Sequence, residues 1–262
     1  MDGVNDIRLT FDQVPELYEK IRPGYPDELF DLLFDTLPAK PAIVEVGPGT
    51  GQATTGLIER GAVVTAVELG PRLAAALEDK FRQTTALRVV NATFETAELP
   101  ISHFDAVFSA TAYHWIEPSQ RLERPHQLLK PTGVLAIIDL IQVDSASDRG
   151  YFDRVQPIYN AFGDGRHDWS LPNYETAVPS IAQELKGCSL FVDIEVHRVP
   201  WDQTYTSAEY RDLLLTYSGT QMMPLQPRNK LVTQLVSVID DEFDGTIIRP
   251  MVATLTLARP SP

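Results

Sequence analysis

The sequence holds a single cysteine, few basic residues and no long apolar run, and each shortage excludes a class of protein. Cys188 alone can form neither an intramolecular disulfide nor a cysteine-rich zinc site. Lys and Arg number 22 against 36 Asp and Glu, which leaves a net charge of −14. Phosphate backbones and anionic membrane surfaces require clustered positive charge, so we expect no nucleic-acid or membrane partner. The longest apolar run, residues 133–141, is interrupted by Asp139 and is too short to span a bilayer.

Metal-binding and leader patterns are missing as well. The five histidines are scattered and form no His-x-x-x-His pair, so we expect no metal site. The first ten residues contain Asp2 and Asp6 but no apolar segment of the kind found in secretory signals, which predicts a cytoplasmic protein. The sequence carries no signal of the oligomeric state.

What is present is a regular alternation of short apolar runs and helical patterns. The predicted strands are 42–46, 63–67, 87–90, 104–109, 133–138, 190–199 and 247–258. The first five are almost continuously apolar, which is typical of strands buried on both faces. Their alternation with helices predicts an α/β fold with a doubly wound, mostly parallel sheet of seven strands. In the sixth strand, apolar and polar residues alternate, which predicts that Leu190, Val192, Ile194 and Val196 share the drier face.

The first predicted strand runs directly into a glycine-rich turn, Gly47-Pro48-Gly49-Thr50-Gly51, and a helix follows. Glycine allows a sharp turn and the close approach of a ligand, and the helix beyond it begins with unpaired N–H groups. Glu68 ends the next strand, 21 residues after Gly47, where an acid can accept both hydroxyls of a ribose. The pattern therefore predicts a nucleoside site at the carboxyl ends of parallel strands.

Two common nucleotide sites fit the glycine loop poorly. The NAD fingerprint requires a third small residue where this chain has Gln52, and a P-loop requires Lys-Ser/Thr after its glycines. Glu45, just before the loop, can hold a positive group and would repel a pyrophosphate. An NAD-dependent oxidoreductase is therefore the less favoured alternative.

The segment Glu45-Val46-Gly47-Pro48-Gly49-Thr50-Gly51, together with Glu68, resembles motif I and the acidic loop of class I S-adenosylmethionine-dependent methyltransferases. Residues 104–109 and 128–135 are similar to the fourth strand and the entry to the fifth strand of that family. Tyr113-His114-Trp115-Ile116 resembles a run found in type-11 and trans-aconitate methyltransferase-like members, and residues 18–26 resemble their N-terminal lid. The resemblance implies methyltransferase activity with S-adenosyl-L-methionine as the cofactor.

The same resemblance implies roles at the cofactor. Gly47 and Gly49 are expected under the methionine and the ribose, Glu45 at the amino-acid end, and Glu68 at the ribose hydroxyls. Leu69 is expected to pack on the adenine. The full set of implied cofactor contacts is Tyr18, Arg22, Glu45, Gly47, Gly49, Thr50, Gly51, Glu68, Leu69, Thr93, Phe94, Ser109 and Ala110.

The candidate catalytic residues are Tyr113, His114 and Trp115. Histidine titrates near neutrality, so His114 is interpreted either as a general base or as a structural residue beneath the cofactor. His167 is a second base candidate, and Trp169 is interpreted as part of a lid. The predicted acceptor is a small molecule, for which the resemblance favours a carboxylic acid. A cofactor-binding scaffold or sensor without catalysis and a protein methyltransferase are the alternatives.

The domain organisation follows from the same resemblance. Residues 1–262 are predicted to form a single methyltransferase domain. Within it, 1–40 is expected to be a helical lid and 41–140 the cofactor-binding core. Residues 141–188 and 201–245 are expected to be helical insertions on the acceptor side.

Overall fold

The computed structural model describes residue 12 and residues 15–163 and 171–261, so the candidates His167 and Trp169 lie outside the described residues. The described helices are α1 (Pro15–Ile21), α2 (Asp27–Phe34), α3 (Gln52–Glu59), α4 (Pro71–Lys80), α5 (Glu123–Leu128), α6 (Tyr151–Ala161), α7 (Ser180–Lys186), α8 (Ser207–Leu214), α9 (Ser218–Met222) and α10 (Leu225–Glu242). The described strands are β1 (Ala42–Val46), β2 (Val63–Glu68), β3 (Leu87–Asn91), β4 (Phe104–Ala110), β5 (Leu129–Gln142), β6 (Phe191–Pro200), β7 (Gln203–Thr206), β8 (Thr246–Arg249) and β9 (Met251–Pro260). Short 3₁₀ helices cover Tyr113–Trp115 and Ala146–Asp148.

Seven strands form one sheet in the order β3-β2-β1-β4-β5-β9-β6. The pairs β1–β2, β1–β4, β2–β3 and β4–β5 are parallel. This confirms the predicted seven-stranded, mostly parallel α/β sheet. The strand order reverses between β1 and β4, and ligands of such sheets bind at the carboxyl ends of the strands beside that point. The glycine loop after β1 stands at this position.

The chain divides into two compact units. The sheet unit comprises residues 23–140, 178–199 and 253–262, and the helical unit comprises residues 1–22, 141–177 and 200–252. The core of the sheet unit is apolar: Val44, Val107 and Leu135 have no exposed surface.

The helical unit packs α6, α8 and α10 around buried aromatic and aliphatic side chains. The ring of Tyr151 meets those of Tyr210 and Phe243 edge-on, with centroids 5.6 Å and 5.4 Å apart. Leu235 and Ile239 of α10 are fully buried beside them. Together with Leu231 they recur at every fourth position, which is typical of the buried face of a helix.

The last stretch of the chain differs from the sequence prediction. One strand was expected over 247–258, but the structure has β8 and β9 on either side of Pro250, and β8 pairs with β7 as a separate antiparallel ribbon. Proline has no N–H to donate to a strand ladder, which explains the interruption. The four-residue strand β7 was not predicted.

Candidate functional site

The glycine loop is fixed by backbone contacts to β2 and by a close approach to the segment after β4. The N–H of Gly47 donates to the carbonyl oxygen of Val67 over 3.0 Å, and the N–H of Gly51 donates to that of Pro48 over 3.0 Å. Gly47 has a φ of +65°, and a Cβ there would lie 2.6 Å from the Cβ of Ala112. Both the conformation and the space therefore require glycine at this position.

Glu68 is held at the loop by two backbone donors. The side chain is only 6% exposed. Its Oε2 accepts from the N–H of Gly49 over 3.0 Å, and its Oε1 accepts from the N–H of Gly70 over 2.8 Å. The amide of Asn91 fixes the same turn by donating to the carbonyl oxygen of Glu68 over 2.8 Å and of Leu69 over 3.0 Å. A carboxylate offers about four acceptor positions, so this arrangement is compatible with donors from a ribose.

Glu45 is a second buried acid, in the middle of the sheet. It pairs with Ala66 and Phe108 across the parallel ladders and is 1% exposed. Burial raises the pKa of Glu45 to about 7, although its Oε2 accepts a hydrogen bond of 2.7 Å from the hydroxyl of Thr54, and the nearby charge of Glu68 raises it further. Two acids this close favour a positively charged ligand and disfavour a phosphate.

The end of β3 brings Thr93 and Phe94 to the same edge of the sheet as Glu68, since β2 and β3 are parallel. The hydroxyl of Thr93 lies 2.8 Å from that of Thr96. Phe94 is 4% exposed and belongs to the core, with the Arg124 guanidinium 5.8 Å from its ring centroid. Leu69 is half-buried. The structure thus brings Leu69 and Thr93 to one edge and places most of the Phe94 ring in the core.

Ser109 and Ala110 end β4 beside the glycine loop. The hydroxyl of Ser109 is fully buried and donates to the carbonyl oxygen of Val46 over 2.9 Å, which ties β4 to the end of β1. Ala110 is 8% exposed. These contacts place both residues next to the loop, in the position from which the sequence predicts contact with the methyl donor.

The segment Tyr113–Trp115 forms a 3₁₀ helix after β4. Tyr113 is 2% exposed, and its hydroxyl donates to the carbonyl oxygen of Arg121. Burial raises the pKa of Tyr113 far above its usual value, so it is a neutral core residue. The His114 side chain is exposed overall. Its pKa is nevertheless lowered, mainly by partial desolvation and secondly by the charge of Arg121. The imidazole is therefore neutral at pH 7 and able to accept a proton. The half-buried Trp115 lies 4.9 Å from His114, ring centroid to ring centroid.

Comparison with known proteins identifies the sheet unit. Residues 44–137 match the family Methyltransf_11, described as a methyltransferase domain. An uncharacterised methyltransferase of Mycobacterium tuberculosis is 29% identical over 231 residues, which is 88% of this chain and 85% of that protein. The chain is a methyltransferase that uses S-adenosylmethionine, and residues 44–137 are its matched methyltransferase domain.

Solved structures share the fold of the methyltransferase. Haemonchus contortus phosphoethanolamine N-methyltransferase 2, in complex with phosphomonomethylethanolamine and S-adenosylhomocysteine, is similar at a TM-score of 0.58 and 19% identity. The match covers 100% of this chain but 62% of that protein, so the methyltransferase spans less than two thirds of this relative's length. A type II methyltransferase, described as putative, from Anaeromyxobacter dehalogenans has a TM-score of 0.58 at 21% identity over 92% of this chain and 97% of that one.

The cofactor of the methyltransferase is S-adenosylmethionine, and the side chains at the loop fit its chemistry. The sulfonium and the amino group carry positive charge, which the buried acids Glu45 and Glu68 favour. Because glycine has no side chain, Gly47 and Gly49 allow a ligand to approach the backbone of the loop.

Three residues near the candidate site were not singled out from the sequence. Arg121 fixes the 3₁₀ segment by donating to the carbonyl oxygens of His114 over 3.3 Å and Ile116 over 3.0 Å. Thr111 follows β4 with a φ of +53°, and its hydroxyl lies 2.9 Å from that of Tyr25. No local pattern distinguishes either residue from an ordinary surface arginine or threonine.

The third residue, Asp139, could have been singled out from the sequence. It interrupts the apolar run of β5, directly after Ile138, which pairs with Ala110 at the carboxyl end of β4. Burial raises the pKa of Asp139 to about 6. A half-buried acid at this edge of a parallel sheet is typical of a functional position.

Tyr18 and Arg22 belong to the helical unit of the methyltransferase. The guanidinium of Arg22 lies 5.2 Å from the ring centroid of Tyr18, and its Nε donates to the hydroxyl of Thr216 over 3.0 Å. The cofactor contact expected of both residues stays a prediction.

Two further findings concern the described part of the methyltransferase alone. Within residues 15–163 and 171–261, no group of three or more His, Cys, Asp or Glu side chains is placed to hold a metal ion. Over the same ranges, no helix is long and apolar enough to cross a bilayer.

Proposed function

We propose that this methyltransferase transfers a methyl group to a small-molecule acceptor that is a carboxylic acid. The arrangement of Glu68, Glu45 and the glycine loop at the switch point of the sheet carries the cofactor half of the proposal. The net charge of −14 disfavours nucleic-acid acceptors, which need clustered positive charge. The resemblance of residues 113–116 to trans-aconitate methyltransferase-like proteins supports an acid as the acceptor class.

The proposed residue roles follow the order of the strands. Glu68 binds the ribose hydroxyls, Glu45 faces the amino group, and the backbone of Gly47 and Gly49 lies under the cofactor. Leu69, Thr93 and part of Phe94 form the adenine side of the site. The remaining proposed contacts are Thr50, Gly51, Ser109 and Ala110.

When bound, S-adenosylmethionine supplies an electrophilic methyl group on a sulfonium. The protein contributes alignment and the exclusion of water, which are the main sources of rate in an in-line displacement. An ionised carboxylate needs no general base, because it carries no proton at neutral pH. For an acceptor that does carry one, His114 is the proposed base, since its lowered pKa leaves the ring neutral.

The proposal is tested by incubating the full chain with methyl-labelled S-adenosylmethionine and separate panels of small carboxylic acids, amines and phenols. We expect label in one or a few acids, as a base-labile methyl ester, because a carboxylate oxygen is the acceptor. Glu68→Ala should lower the rate at subsaturating cofactor, and Glu78→Ala, an exposed acid on α4, should not. Label confined to amines, phenols, added protein or added tRNA would show that the acceptor class is wrong.

A further inference from the structure

Two arginines of the helical unit contact the same tyrosine ring. The guanidinium carbon of Arg22 lies 4.6 Å from the ring centroid of Tyr217, and that of Arg249 lies 5.7 Å from the same centroid. Arg249 also donates from Nη1 to the Tyr217 hydroxyl. We call Arg22, Tyr217, Arg249 and the neighbouring Gln142 the arginine cluster. Its residues come from four distant parts of the chain, so the fold rather than the sequence brings them together.

Most hydrogen-bond donors of the arginine cluster have no acceptor within the part of the chain that the structure describes. Arg22 donates from Nε to the hydroxyl of Thr216 over 3.0 Å and from Nη2 to its carbonyl oxygen over 3.4 Å. Arg249 donates from Nε to Gln142 Oε1 over 3.4 Å, in addition to the bond to Tyr217. A guanidinium has five N–H groups, so about three on each arginine lack an acceptor among the described residues. Gln142 Nε2 is buried and has no partner there either.

The positive charge of the arginine cluster is not neutralised by the described side chains, none of whose carboxylates forms an ion pair with Arg22 or Arg249. On α8, Glu209 is used in the capping box with Thr206, and Asp212 is paired with Lys20 and Arg211.

Nearby tyrosines do not supply the missing negative charge. Burial raises the pKa of Tyr205 and of Tyr210, so both are neutral at pH 7. Two half-buried guanidiniums therefore face one tyrosine without a counter-ion, in a protein whose net charge is −14. Leaving such charges unpaired is costly, and an anion would remove the cost.

We propose that the arginine cluster binds the carboxylate or phosphate group of a small molecule other than the cofactor. The planar fork of a guanidinium matches both groups, and paired N–H donors bind them in a bidentate manner. The buried amide N–H of Gln142 adds a neutral donor beside Arg249. A small acid would complete the hydrogen bonds and neutralise the charge at once. In this proposal Arg22 binds the anion and not the cofactor, which is the contact that the resemblance implies. The experiment below separates the two roles.

The test is calorimetric titration of the full chain, without cofactor, with citrate and separately with inorganic phosphate. At least one probe should bind the wild type, and Arg249→Gln should weaken its binding at least tenfold, because charged hydrogen bonds are lost. Arg154→Gln is the matched control, since Arg154 is paired with Glu242 on the surface of the same unit, and it should change the affinity less than twofold. Gln142→Leu keeps both arginines and should measurably weaken binding of the same probe. This variant tests the proposal if Arg249→Gln does not fold.

Titration with S-adenosylhomocysteine gives the second readout. Arg249→Gln should bind it within twofold of the wild type, because the proposal assigns the arginine cluster to a different ligand. The proposal is overturned if neither probe binds the wild type at millimolar concentration, if the folded variants bind as the wild type does, or if the loss of affinity appears for S-adenosylhomocysteine instead. None of these results depends on methyl transfer, so a failure here is distinct from a failure of the proposed function.

Discussion

Two buried carboxylates, Glu45 and Glu68, govern the electrostatics of the candidate cofactor site at the scale of single residues. They differ in their partners: Glu68 accepts from two backbone N–H groups, whereas Glu45 accepts from the Thr54 hydroxyl deep in the sheet. Their proximity raises the pKa of Glu45 beyond the effect of burial. Glu45 is thereby poised to lose a proton when a cation arrives.

This predicts that binding of S-adenosylhomocysteine releases a proton near pH 7. The pKa of Glu45 is raised to about 7, so the side chain is about half protonated there, and an adjacent ammonium group lowers that pKa. The binding enthalpy at pH 7 should therefore depend on the ionisation enthalpy of the buffer, and the dependence should vanish near pH 9, where Glu45 is already ionised. Calorimetry in Pipes and in Tris, two buffers with different ionisation enthalpies, measures it.

Glu45→Gln should remove the buffer dependence, while Asp79→Asn, an exposed acid on α4, should keep it. The same dependence in Glu45→Gln and in the wild type would assign the proton to another group and contradict the role given to Glu45.

Single residues were predictable where local chemistry alone defines them. Glycines before a helix and an acid ending the next strand identified Gly47, Gly49 and Glu68 as a group. In the structure the N–H of Gly49 donates to Glu68, and that of Gly47 donates to the neighbouring Val67. Arg249 was not predictable, because its partners Tyr217 and Gln142 are remote in the sequence and only the fold joins them. The cofactor and catalytic roles themselves remain predictions.

At the scale of elements, the entry to α3 is the most tightly constrained part of the site. Gly51 has a φ of +90°, and a Cβ there would lie 2.6 Å from Leu77 Cδ1 and 2.7 Å from Phe81 Cε2. The start of α3 therefore packs tightly against α4. Lys80, also on α4, donates to the Thr50 carbonyl oxygen over 3.2 Å and fixes the loop from the same side.

Gly51→Ala should therefore destabilise the protein more than Gly61→Ala. Gly61 has a similar φ of +88° but nothing within 4 Å of an added Cβ, so it isolates the cost of the backbone conformation. That cost is about 1–2 kcal/mol for each variant, and overpacking should add about 1–3 kcal/mol for Gly51→Ala. Denaturant unfolding of both variants measures the difference. Equal losses of unfolding free energy would mean that α3 and α4 move apart without cost.

Elements were predictable where hydrophobic periodicity was strong and unbroken. The five strands predicted within the first 140 residues follow apolar runs: β1 has the predicted bounds, and the other four have shifted ends. Around β6 the predicted alternation holds at Leu190, Ile194 and Val196, which are half-buried. It fails at Val192, which is 40% exposed and precedes Asp193, whose φ is +50°. The short strand β7 has four residues and no apolar run, so only its pairing with β8 defines it.

At the scale of the whole molecule, the distribution of charge matters more than its total. A net charge of −14 repels small acids at long range, but the arginine cluster offers them a local site of the opposite sign. The total charge was readable from the sequence and excluded nucleic acids. The local positive charge could not be read from the sequence, because only the fold decides which arginines are neutralised by ion pairs, as Arg154 is by Glu242. The fold class was predictable because strand–helix alternation determines it, whereas the grouping of residues 1–22, 141–177 and 200–252 into one unit was not.

The central claim is that the glycine loop and Glu68 bind the methyl-donor cofactor. The most direct test is calorimetric titration of the full chain with S-adenosylhomocysteine, with NAD as the competing ligand. S-adenosylhomocysteine should bind and NAD should not, and Glu68→Ala should weaken the binding by about 10- to 100-fold through the loss of charged hydrogen bonds. Glu78→Ala should bind normally. Binding of NAD alone, or unchanged affinity in a folded Glu68→Ala variant, would contradict the account.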